Sequence, residues 1–144
     1  MKRVLGCLAA ALLTVGAYAQ FGPTSDVPAY HPSTPTAAMP ALLHGTQLSG
    51  EYFSHGYQVT SYKMAASVER VLWQQPCYCR CDRGMGHKSL HSCFEGTHGA
   101  ACSTCMKEAA YTYQETKKGR SPAQIRDAIE RGEWELVDLE KIKM

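Results

Sequence analysis

Apolar residues are spaced in two ways along this chain. Near the start, Val4 to Val15 is an apolar run without a charge. From residue 60 onward the spacing turns helical. Met64, Ala65, Val68, Val71 and Leu72 fall at i, i+1, i+4, i+7 and i+8, which predicts one buried face of a helix over 60–75. Thr60 or Ser61 can cap its start, and Pro76 ends it by pushing Gln75 towards extended backbone. Leu90, Cys93 and Phe94 predict a short second helix, capped by Ser89 and stopped at Gly96. Cys102, Cys105, Met106, Ala109 and Tyr113 share one face of a third, closed by Lys117, Lys118 and Gly119. The fourth has Ser121 as cap, Pro122 in the first position and Gln124 completing a capping box. Ile125, Ala128 and Ile129 are its buried stripe, and Gly132 its stop. The tail, with Trp134, Leu136, Val137 and Leu139, is expected to pack back as an irregular strap or short strand. The pattern predicts an all-α domain of about four helices over 46–144, with a Cys-rich loop region.

Two segments precede that domain. Residues 1–19 read as a secretory signal peptide: Lys2 and Arg3, the apolar run, then Ala17-Tyr18-Ala19 before Gln20. The run is too short for a comfortable membrane span, and Cys7 precedes it, where a lipid-bearing cysteine would follow it. Export, to the periplasm or the medium, is the expectation. Residues 20–45 carry Pro23, Pro28, Pro32, Pro35 and Pro40 and predict a disordered Pro-rich linker, in which His31 and His44 have no assigned role.

Charge excludes some partners. Without Lys2 and Arg3 the chain has 13 basic and 13 acidic residues. That balance leaves no electrostatic footprint for nucleic acid or an anionic membrane. Phosphate-binding loops, dinucleotide fingerprints, nucleophile elbows and H-E-x-x-H are also absent.

The chemistry lies between residues 77 and 105. This stretch holds Cys77, Cys79, Cys81, Cys93, Cys102 and Cys105, every cysteine except Cys7. Extended backbone would put Cys77, Cys79 and Cys81 on one side, their sulfurs converging. Neighbours at i and i+2 make poor disulfides, because the bond demands a fixed torsion and separation. They suit a shared metal ion. Cys102 and Cys105 open a helix, where free N–H groups and the dipole favour thiolate. Thiolates are soft ligands, so the expected ion is Zn or Cu(I). Its candidate ligands are Cys77, Cys79, Cys81, Cys93, Cys102, Cys105 and, as imidazole, His87. His91 and His98 are further candidates.

Two other readings stay open. Six cysteines in an exported domain can form three disulfides, in fifteen possible pairings, as structural staples. Alternatively, Cys102 and Cys105 can act as a thiol–disulfide oxidoreductase, although no convincing strand precedes them as in a thioredoxin fold.

Pro76-Cys77-Tyr78-Cys79-Arg80-Cys81 resembles the defining run of the bacterial PCYCGC-motif family, with Arg80 in the glycine position. Gly86-His87, Cys93-Phe94, His98-Gly99 and Cys102-x-x-Cys105 resemble elements that follow it. The similarity covers roughly 60–132. It implies an exported protein and a shared helical cysteine module, and it supplies no activity.

Overall fold

Gly56 to Ser67 form α1 and Glu69 to Leu72 form α2 in the computed structural model, which describes residues 26–144. Then come α3 (Cys81–Gly84), α4 (His98–Ala101), α5 (Ser103–Lys117) and α6 (Pro122–Glu130). Among the described residues there is no strand, and no helix is long and apolar enough to cross a membrane. The all-α expectation holds. The signal peptide expected over 1–19 lies outside the described residues.

α1 packs along α5, and this pair divides the interior in two. One half is aliphatic: Met64 and Ala110 meet Ile125, Ala128 and Ile129 of α6, with Val137 and Ile142 of the tail. The other half is built around sulfur. There Cys77, Cys81, Cys93 and Cys105 pack with Tyr62, Leu72, Leu90 and Phe94. The thiols are therefore part of the core, and whatever fills them also decides how that half packs.

The fourth expected helix appears as read. Ser121 Oγ accepts from the Gln124 N–H at 3.3 Å, and Gln124 Oε1 accepts from the Ser121 N–H at 2.9 Å. Gly132 ends it at φ 79°. The third runs to Lys117 with Gly119 at φ 85°.

Other boundaries differ. The first helix starts a turn earlier, at Gly56, because Gln58 reaches back to the His55 N–H at 2.8 Å. It breaks at Val68, where φ is −133°. The second is a 3-10 helix, Leu90–Phe94. Ser89 precedes it, but the hydroxyl is buried without a partner and caps nothing. The tail is two 3-10 turns, Glu133–Leu136 and Leu139–Lys141, not a strand.

Over its described part, 26–45, the expected linker has no regular helix until Gly45 and most of its residues are exposed, but several contact the domain. Pro28 and Leu42 are buried, His31 stacks on Trp73 with ring centres 3.7 Å apart, and the Leu43 N–H reaches the Phe94 carbonyl at 3.0 Å. Proline removes backbone donors, which prevents helix, but it leaves apolar rings free to pack.

Candidate metal centre

The three-cysteine run is a turn, which corrects the extended reading. Pro76 follows the end of α2, and the Arg80 N–H closes back on the Cys77 carbonyl at 3.2 Å. Arg80 sits at φ 61°, ψ 27°, the one non-glycine residue with positive φ among those described. For an L-residue this left-handed geometry costs about 1–2 kcal/mol. It explains why a glycine suits this position. The Arg80 guanidinium pairs with Asp26 at 2.7 Å and lies 5.4 Å from the Tyr78 ring centre. α3 then starts directly at Cys81.

The turn sorts the sulfurs. Cys77 and Cys79 face each other at 3.3 Å, and both face Cys105, at 3.4 and 3.6 Å. Cys81 is carried past them by α3 and meets Cys93 at 3.4 Å. Cys93, fully buried, comes from the 3-10 helix. Cys102, with extended backbone, immediately precedes α5, and Cys105 lies inside its first turn.

Two close contacts hold α4 and the 3-10 helix together. The Tyr62 hydroxyl donates to the Gly96 carbonyl at 2.6 Å and accepts the Ala100 N–H at 3.1 Å. Gly99 passes so near the chain that a Cβ there would lie 2.9 Å from the Cys93 carbonyl oxygen. Glycine is needed here for space, and the contact fixes His98 against the sulfurs.

Of the histidines, His87 brings Nδ1 to 3.3 Å from Cys93 Sγ. His98, a weaker candidate by sequence, brings Nε2 to 3.6 Å from Cys79 Sγ. Their rings meet edge to face at 5.2 Å. His91 is turned away: its Nδ1 meets Glu95 at 3.0 Å and its ring edges onto Trp73.

Glu108 was not foreseen. It is fully buried, one turn beyond Cys105, and its Oε1 accepts the Tyr78 N–H at 2.8 Å. Oε2 has no partner. Burial holds its carboxyl well above the usual range. The spacing Cys105-x-x-Glu108, three apart on a helix, is the signal that could have found it.

The thiols share protons unequally. Those of Cys102 and Cys105 favour a thiolate on Cys79, and those of Cys105 and Cys77 favour one on Cys93, so both are lowered. Cys77 is raised, its proton held towards Cys105 and Cys79. Cys105 is raised as well, chiefly by Cys102.

The donors fit a thiophilic ion. Cys77, Cys79, Cys93 and Cys105 offer four sulfurs all within 4.8 Å of one another. A tetrahedron with metal–sulfur bonds of ~2.3 Å has edges of about 3.8 Å, near the observed separations. Among the described residues the six cysteines are free, and the nearest pair, at 3.3 Å, is beyond the ~2.05 Å of a disulfide. A surface groove lined by His31, Trp73, Met85, His87, Lys88 and Glu95 reaches His87 but is lined by no cysteine.

A family model describing proteins of unknown function with a PCYCGC motif matches residues 51–135. No curated protein and no solved structure matches the chain.

Proposed function

The chain belongs to the PCYCGC-motif family, and from that premise we propose that it binds a soft metal ion, Zn or Cu(I), through its thiolates. The reading rests on one observation: sulfurs from three separate segments, 77–81, 93 and 102–105, lie at ligand-to-ligand distance in one buried volume. Thiolate donors favour soft cations over hard ones. Burial matters as well. A thiolate cluster in an apolar core carries charge that a cation must offset, and Cys77, Cys93 and Cys105 are all buried.

The family gives no activity, so the role is argued from the donors. Four of the sulfurs, on Cys77, Cys81, Cys93 and Cys105, are buried, which suits holding an ion more than turning over a substrate. The leader-like run at residues 1–19 supports export, and metal handling or storage outside the cytoplasm is the role we propose.

Elemental analysis of full-length protein, reduced and then loaded with Zn(II) or Cu(I), tests this. Stoichiometric metal that survives desalting and is reduced in a Cys77→Ser, Cys105→Ser double variant is the expected result. Metal near zero after reduction and reloading overturns it.

A further inference from the structure

The number of sulfurs exceeds what one ion can use. Three sets of four donors each lie within 4.8 Å: Cys77, Cys79, Cys93 and Cys105; Cys79, Cys81, Cys93 and His98; Cys79, His98, Cys102 and Cys105. The sets overlap in a definite way. Cys79 belongs to all three, and Cys93 and Cys105 belong to two each. A thiolate sulfur keeps lone pairs after its first metal bond and can bridge. An imidazole nitrogen has one lone pair and cannot, so His98 can serve only one of its two sets. His87 belongs to none of these sets, although its Nδ1 lies 3.3 Å from Cys93 Sγ.

Resting on the soft-metal reading above, we propose that the site holds a cluster of three divalent thiophilic ions, joined through a shared Cys79 sulfur, with Cys93 and Cys105 each bridging two of them. Cys79 used three times, Cys93 and Cys105 twice, and Cys77, Cys81, Cys102 and His98 once each supply eleven of the twelve bonds that three four-coordinate ions need, and a shift of His87 from beside Cys93 towards Cys81 would supply the twelfth. Charge balances as well: three divalent cations neutralise six thiolates, whereas one ion uses only part of the set and leaves the other sulfurs as neutral thiols. The sites are not equivalent: Cys77 and Cys93 are buried, while Cys79, Cys102 and His98 are part-exposed, so the ion held by Cys102 and His98 lies nearest solvent.

Cd(II) is the probe. Reduced full-length protein is titrated with cadmium, the bound ions are counted by native mass spectrometry, and cadmium NMR is recorded on the saturated sample. Saturation at three ions is expected, with scalar coupling between cadmium resonances transmitted through the shared sulfurs. Cys102→Ser, at the rim, should saturate at two ions and still show coupling. Cys79→Ser removes the sulfur common to all three sets and should saturate below three ions, with the remaining coupling carried by Cys93 and Cys105. Saturation of the wild-type protein at one or two ions overturns the cluster and leaves the soft-metal reading standing. No bound cadmium overturns both.

Discussion

Glu108 Oε1 accepts the backbone N–H of Tyr78 at 2.8 Å, across thirty positions of sequence. This bond ties α5, which carries Cys105, to the middle of the turn that carries Cys77 and Cys79. It sets how closely those sulfurs meet.

Glu108→Gln keeps a carbonyl-type acceptor for Tyr78 and should fold with nearly unchanged stability. Glu108→Leu leaves that buried N–H unpaired and should cost about 1–3 kcal/mol. A supporting partner of this kind also tunes metal affinity, so Glu108→Leu should bind zinc about 10–100-fold more weakly. Urea denaturation and competition with a chelator measure the two effects. Equal behaviour of the two variants would show that the bond positions nothing.

Gly99→Ala puts a methyl group 2.9 Å from the Cys93 carbonyl oxygen and 3.0 Å from the Tyr62 hydroxyl. Backbone must move to admit it, at about 1–3 kcal/mol. Because α4 carries His98, the displacement should also weaken metal binding. Thermal melts with and without zinc should show the loss in both states, and an unchanged melting temperature would contradict the close packing.

Arg80→Gly should be neutral or stabilising by up to about 1 kcal/mol. It relieves a left-handed backbone that costs an L-residue about 1–2 kcal/mol, while the chain entropy of glycine and the lost Asp26 pair offset part of the gain. Arg80→Val, branched at Cβ, should destabilise. Chemical denaturation of the two variants checks the order, and a valine variant more stable than the glycine variant would contradict the turn.

The fold was legible where local rules act alone. Ser121, Pro122 and Gln124 specify a helix start without help from the rest of the chain. Leu90, Cys93 and Phe94, at i, i+3 and i+4, are all buried, as that spacing implies. Cys77, Cys79 and Cys81 misled, because a period of two also describes a strand. Only the left-handed geometry at Arg80 turns them into a bend, and arginine does not signal it. The prolines of 26–45 announce absence of helix, which does not exclude local packing. His31 on Trp73 shows the difference. His98 depends on tertiary approach to Cys79, which spacing along one helix cannot reveal, whereas the i, i+3 spacing of Cys105 and Glu108 puts that carboxyl on the sulfur side of α5.

Metal binding should strengthen with pH. Cys77 and Cys105 hold their protons above the ordinary thiol range, so an incoming ion must displace them at neutral pH. Cys79 and Cys93 are lowered and add little to the slope there. Each displaced proton changes affinity about tenfold per pH unit. Calorimetry in buffers of different ionisation enthalpy counts the protons released. Affinity independent of pH between about 6 and 8 would contradict the assignment.

X-ray absorption at the zinc edge of the loaded, reduced full-length protein tests most directly whether the sulfurs of the three segments act together on metal. The expected spectrum has a first shell dominated by sulfur at ~2.3 Å, with a minor imidazole contribution. A first shell of oxygen and nitrogen alone, with no sulfur at that distance, would contradict it.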